Sequence, residues 1–203
     1  MSRRRLLLFC AFMLAFLGCL ENAAARSFNT VVIDAGHGAH DFGCHRGYFF
    51  EKHIALDISR RLERFLRQKG VRTVMTRSTD RFIPLGTRAD IGNGQGSCVF
   101  VSVHVNSASR TGAAGIETFY HGSEGQKLAS LVQRQILKNT SHGGSRGVKY
   151  ARFKVLRSSS KPAILVETGF ASNPRDNQRL RSPAYREAMA QSIGLGLLEY
   201  RRR

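Results

Sequence analysis

Short β-branched runs alternate with amphipathic stripes along most of this chain, and that alternation restricts the fold more than any other feature. Residues 30–35 form an apolar, β-branched run that stops at Gly36, the pattern of a buried strand. Residues 51–69 place Ile54, Ile58, Leu62, Phe65 and Leu66 at helical spacing before Gly70, a natural helix stop. Residues 72–76 predict a second strand, and residues 84–93 a shorter helix with Pro84 in its first turn. Residues 98–105, the most apolar run after the N-terminal segment, predict the central strand. Residues 115–121 read as a strand, 126–139 as a helix, 146–156 as irregular or extended chain, 163–167 as a buried strand and 184–200 as a terminal helix. This order predicts an α/β fold, a single-domain sandwich with a mostly parallel twisted sheet flanked by helices. The 203 residues, 42% apolar, suit one domain with one core.

The first residues stand apart from this pattern. Arg3, Arg4 and Arg5 precede an apolar run over residues 6–17, and Ala23, Ala24 and Ala25 follow. A basic start, a short apolar stretch and a small-residue exit are the marks of a secretory signal peptide. The apolar run is shorter than the ~20 residues a spanning helix needs. Residues 1–25 are therefore expected to be removed, leaving 26–203 as the folded domain, in the periplasm or secreted. An uncleaved anchor and a lipidated Cys19 in the imperfect Leu17–Gly18–Cys19 box are the alternatives. The net charge of +18 draws a protein to polyanions. Nucleic acid is the usual partner of such a chain, but no basic motif interleaved with aromatics is present, and no nucleic-acid partner is expected. An exported protein meets anionic envelope polymers instead. Cys44 and Cys98 remain after the signal segment; they either pair or stay as core thiols. No C-x-x-C spacing exists for a thiolate zinc knuckle.

In open α/β sheets functional groups gather beyond the carboxyl ends of the strands. Three predicted strands run out into polar residues there: Asp34 and His37, His104 and Asn106, and Glu167. His37 sits between two glycines, which permit sharp bends and close approach. Glu51 opens a helix. His37, Glu51 and His104 form a His₂Glu set, a known catalytic zinc composition. Zinc in such a site polarises a carbonyl and lowers the pKa of its water toward ~7. Glu167, embedded in Ile164, Leu165 and Val166, is expected to have a pKa raised by desolvation, suited to acid–base work. Asp34 is expected to orient His37 by accepting its other ring N–H. Each residue alone has a plainer reading, such as a core histidine, a carboxylate at a helix start or a buried ion-pair partner. Their convergence carries the argument.

Val32–Ile33–Asp34–Ala35–Gly36–His37–Gly38, Ser102–Val103–His104–Val105–Asn106, Gly115–Ile116–Glu117 and Leu165–Val166–Glu167–Thr168–Gly169–Phe170 resemble, in order, the zinc-dependent N-acetylmuramoyl-L-alanine amidases of the amidase-3 type. Thr76–Arg77, Arg88–Ala89, Arg146–Gly147–Val148 and Ser172–Asn173–Pro174 fit the same pattern. The resemblance spans about residues 30–200. It implies zinc ligands at His37, Glu51 and His104, a catalytic Glu167, and supporting or substrate-binding roles for Asp34, Asn106 and Glu117. It implies hydrolysis of the amide between N-acetylmuramic acid and the L-alanine of the stem peptide, in wall remodelling or daughter-cell separation. The implied partner is peptidoglycan or its muropeptides, and the expected state is a monomer. Ala35 replaces the family's usual proline, and His40 and His45 add histidines after the first ligand, read as substrate-side or incidental. Ser158–Ser159–Ser160–Lys161 also satisfies S-x-x-K. That leaves an added penicillin-sensitive D,D-carboxypeptidase activity through Ser158 and Lys161 as one alternative. A non-catalytic wall-binding protein is the other.

Overall fold

Side chains alternate between the two faces of a strand, and along the central strands this decides which helices cover which side. The computed structural model describes residues 28–203 except Tyr48; the expected signal peptide and Cys19 lie outside the described residues. β1 (Thr30–Ala35) pairs in parallel with β4 (Arg72–Met75) on one side and β5 (Cys98–Asn106) on the other. β8 (Ala163–Phe170) continues the sheet parallel to β5. β6 (Ile116–His121) then runs antiparallel to β8, and β7 (Ser145–Tyr150) closes the far edge parallel to β6. The strand order is β4-β1-β5-β8-β6-β7. A small hairpin of β2 (His45–Arg46) and β3 (Phe49–Phe50) precedes the first helix.

Val99, Val101, Val103 and Val105 of β5 face the larger core. There they meet Ile58, Leu62 and Leu66 of α1 (Glu51–Gln68), Leu128, Val132 and Ile136 of α3 (Ser123–Asn139), and Met189, Ile193 and Leu197 of α6 (Pro183–Arg201). Burying each such side chain stabilises the fold by about 1.5–3 kcal/mol. The opposite face carries Phe100 and Leu165, covered by a smaller cluster that includes Val155 and Leu156 of α4 (Lys154–Arg157). α2 (Leu85–Asn93) packs against α4 on this side. These two short helices leave the carboxyl ends of β1, β5 and β8 open on that face.

The expected order of elements holds, with differences in detail. Residues 146–156, read as irregular or extended chain, contain most of the edge strand β7, which fits the extended reading, and the start of helix α4, which was not expected. β8 continues three residues past Glu167, with a register shift opposite His104 and Asn106. α5 (Pro174–Arg181) was not expected. Its start is nonetheless written in the sequence: the Asn173 side chain accepts from the backbone N–H groups of Arg175 and Asp176, with proline in the first turn. Among the described residues no helix is long and apolar enough to cross a membrane. Cys44 and Cys98 are both free. Cys98 opens β5, whereas the Cys44 thiol donates to the Val105 carbonyl at the far end of that strand. About 3.3 Å of rise per residue puts them roughly 20 Å apart, far outside disulfide reach.

Candidate functional site

The loop after β1 carries His37 in an unusual backbone conformation. Its φ is 60°, a left-handed value that side-chain-bearing residues seldom adopt. Two buried guanidinium groups hold it there. Arg88 donates from Nη2 to the His37 carbonyl (2.8 Å) and from Nη1 to the Ala35 carbonyl (2.7 Å). Arg77 donates to the carbonyls of Ala35 (2.9 Å), Gly36 (2.7 Å) and Lys52 (2.8 Å).

His37 Nδ1 lies 2.8 Å from Asp41 Oδ1. A carboxylate there fixes the orientation of the ring and turns Nε2 inward, toward Glu51. Asp34, the expected orienting group, does not touch His37. It is buried beneath the loop and accepts from Thr76 Oγ1 (2.7 Å), Arg88 Nη1 (2.9 Å) and Ser102 Oγ (2.7 Å). It acts on the histidine loop through Arg88, because its side chain faces the sheet rather than the turn.

Glu51 begins α1, where a carboxylate suits the helix dipole. Its Oε1 lies 3.1 Å from His37 Nε2 and 2.9 Å from His104 Nδ1, and it accepts from the Val105 N–H (3.0 Å). Its Oε2 accepts from the Cys44 N–H (2.8 Å). One ligand atom from each of His37, Glu51 and His104 falls within 4.8 Å of the others. Ligands about 2.1 Å from a tetrahedral zinc stand roughly 3.4 Å apart, so small side-chain adjustments suffice to seat an ion. Burial works to raise the Glu51 pKa, but hydrogen bonds from His104 and His37 outweigh it and hold the carboxylate well below its ordinary range. Burial likewise disfavours a charged His104, yet the Glu51 carboxylate overrides it and raises the His104 pKa. Both shifts have one cause, the Glu51 carboxylate lying between the two imidazoles.

Glu167 stands beside His104 in register on the neighbouring strand. Its Oε2 is buried with no hydrogen-bond partner. Burial pushes its pKa up to about 7; His104 opposes this shift, while Glu51 and Glu117 add to it. The side chains of His37, His104 and Glu167 open into a cleft of about 450 Å³ whose apolar lining includes Phe82, Leu85 and Phe153.

Two glycines make room for this arrangement. A Cβ on Gly36 sits 2.5 Å from the His104 ring, and one on Gly43 sits 2.5 Å from Glu51 Oε2 and 2.7 Å from His37 Cδ2. Gly43 also has φ +65°. Gly43→Ala is expected to weaken metal affinity by about 10- to 100-fold, the usual scale for disturbing the support of metal ligands. Competition with a chromogenic chelator measures it, and wild-type affinity in the variant contradicts the assignment.

The remaining sequence candidates divide. Asn106 Nδ2 donates to Glu117 Oε1 (2.5 Å), and Glu117 Oε2 accepts from Arg146 and Lys149; neither Asn106 nor Glu117 joins the His–Glu–His group. His40 packs on Phe82 (4.5 Å between ring centroids) and His45 on Phe50 (6.2 Å), both outside that group. Ser158 follows α4, and Lys161 lies just before β8, at the strand end away from Glu167. Asn93 holds this loop through the Ser158 carbonyl and the Ser160 N–H and hydroxyl. No hydrogen bond joins Ser158 to Lys161 among the described residues, and neither lines the cleft.

A sequence model of one family, Amidase_3 or N-acetylmuramoyl-L-alanine amidase, matches residues 31–199. The chain belongs to this family. The solved amidase AmiC2 of Nostoc punctiforme superimposes with a TM-score of 0.83 at 42% identity, covering 86% of this chain and 97% of that one. The amidase AmiA of Escherichia coli is 31% identical over 217 residues, covering 84% of this chain and 75% of its own. The uncharacterized Bacillus subtilis protein YqiI is 35% identical over 200 residues, 97% of this chain and 96% of its own. Sequence reasoning missed the role of Asp41 in this amidase, although a carboxylate four residues after the first histidine was a usable signal. Arg77, Arg88 and Arg146 stood in matching motifs but without a role, and Lys149 gave no signal, because arginines and lysines are abundant in this chain.

Proposed function

We propose that this protein is a zinc-dependent peptidoglycan amidase. It hydrolyses the amide between N-acetylmuramic acid and the L-alanine of the stem peptide, with His37, Glu51 and His104 as metal ligands and Glu167 as acid–base residue. The observation that carries the reading is the buried Glu51 carboxylate between two imidazole nitrogens, with the unpartnered Glu167 oxygen beside them. The donor set fits the metal, since Asp41 leaves His37 Nε2 facing Glu51 and His₂Glu sites hold catalytic zinc. When bound, zinc supplies Lewis-acid polarisation of the scissile carbonyl and makes its water more acidic.

The chain's own residues do the rest. Asp41 keeps the His37 ring oriented. Glu167 takes the proton of the attacking water and returns it to the departing alanine nitrogen, a task matched by a pKa near neutrality. Phe82, Leu85 and Phe153 give the cleft an exposed apolar wall against which the substrate packs. The N-terminal pattern of basic, apolar and small residues supports export, and the similarity to cell-wall amidases supports action in the envelope, in remodelling or cell separation. The intact ligand set speaks against a purely wall-binding role.

The test is metal content and product identity together. Purified protein is expected to hold one zinc per chain, to lose muropeptide cleavage on dialysis against a chelator, and to regain it with zinc. Mass analysis is expected to show intact glycan and a peptide with a new alanine N-terminus. Full activity in demonstrably metal-free protein, or cleavage of another bond, sinks the reading.

A further inference from the structure

On the cleft side of the sheet, Glu117 continues the line of functional groups away from the metal ligands. It pairs across strands with Glu167, which itself pairs with His104. Glu117 and Phe119 share that face, because residues two apart on a strand do, and Phe119 packs on the smaller core that lies there. Lys149 is the cross-strand partner of Phe119 and therefore projects from the same face.

Glu117 is itself buried and fully occupied. It receives Asn106 on one oxygen and Arg146 and Lys149 on the other. Two cations on one carboxylate leave a positive charge over. Both cations keep a solvent-facing side, with side-chain exposures of 38% for Arg146 and 41% for Lys149. Both are also steadied on aromatic faces, Arg146 over Phe170 (4.9 Å) and Lys149 over Phe119 (5.9 Å). Glu117 thus anchors a fixed cationic pair and is not free to meet a ligand of its own.

Strands lie about 4.8 Å apart; β7 is two strands from β8, and both cations lean back one strand onto Glu117. An extended peptide advances about 3.3–3.6 Å per residue. A departing peptide laid across the sheet from Glu167 toward β7 brings the residue that follows the alanine within reach of the two cations. Resting on the amidase reading above, we infer that Arg146 and Lys149 bind a carboxylate on the second residue of the stem peptide, making this pair a determinant of substrate choice. A free carboxylate is accepted; its uncharged carboxamide leaves the two cations without their counter-charge.

The test compares two N-acetylmuramoyl-L-alanyl peptides that differ only in a free carboxylate or a carboxamide on the second residue. Wild-type enzyme is expected to favour the acid by about 10- to 100-fold in kcat/KM, the scale of a hydrogen bond to a charged group. Lys149→Met is expected to bring that ratio toward one, and Lys149→Arg to restore it. If the wild type shows no preference, or Lys149→Met lowers kcat/KM for both substrates while keeping their ratio, the inference is overturned and the amidase reading stands. A wild-type enzyme that cleaves neither substrate overturns the amidase reading and this inference together.

Discussion

Arg88→Met is expected to destabilise the protein by about 3–5 kcal/mol, the cost of leaving a buried charge without its partner. Arg88 and Asp34 are both fully inside, with side-chain exposures of 2% and 1%. Methionine keeps most of the apolar volume but removes every donor. The Asp34 carboxylate is then left with two hydroxyl partners, Thr76 and Ser102, and no counter-charge within contact. The carbonyls of Ala35, His37 and Ile83 lose a donor at the same time. The loss at His37 has a functional side, because its carbonyl belongs to the strained turn that aims the proposed first ligand. Urea unfolding of the metal-free variant measures the stability, with an unchanged m-value as the check that the same two states are compared.

The double variant Asp34→Asn with Arg88→Met separates charge from packing. Removing both charges is expected to cost clearly less than the sum of the two single changes, since neither buried group is then left unpaired. Strict additivity contradicts the view that Arg88 stabilises mainly by neutralising Asp34. Arg77 then remains beneath the loop as a buried cation. Burial, reinforced by the nearby Arg88, pushes its pKa down to about 10, and it is still charged at neutral pH.

How much of this was legible beforehand follows from the range of each interaction. β1, α1 and β5 were readable because hydrophobic period is local: alternating or helically spaced apolar residues report burial without knowledge of neighbours. His37, His104 and Glu167 were readable for the same reason, as polar residues breaking those runs at predictable strand ends. Asp34 was misplaced as the partner of His37 because its direction depends on the pleat. One residue back along β1 from Ala35, it points to the sheet face where Arg88 and Ser102 lie. Asp41 takes the role instead because the chain turns back at Gly38, which forms a bridge with Asp41. β7 was read no further than irregular or extended chain because Ser145, Arg146, Gly147 and Lys149 lack any apolar period; its pairing comes from β6 alongside it. The cationic pair on Glu117 joins residues 29 and 32 positions apart in the chain, and no local pattern encodes that meeting.

Glu167→Gln is expected to lower kcat by about 10²- to 10⁴-fold, the range supplied by a positioned acid–base group, while zinc content stays at the wild-type level. The amide has nearly the same shape but cannot accept a proton from water and return it. The same substitution is expected to leave the metal-free protein as stable as the wild type or more so at pH 8. A buried carboxylate oxygen with no partner is costly when ionised, and such groups persist where function requires them. The pH dependence has a defined sign. Burial raises the Glu167 pKa from its ordinary 4.5 to about 7, so between those values the folded state binds more protons than the unfolded state, and stability falls as pH rises. Wild type is therefore expected to lose stability relative to Glu167→Gln across pH 4.5 to 7, by at most a few kcal/mol given about 1.4 kcal/mol per pKa unit. Parallel urea titrations of the two metal-free proteins measure the difference. A Gln variant that turns over muropeptide at the wild-type rate removes Glu167 from the reaction. One that is inactive but equally displaced in stability at every pH keeps the residue in the chemistry and shows that its carboxylate is not held out of water.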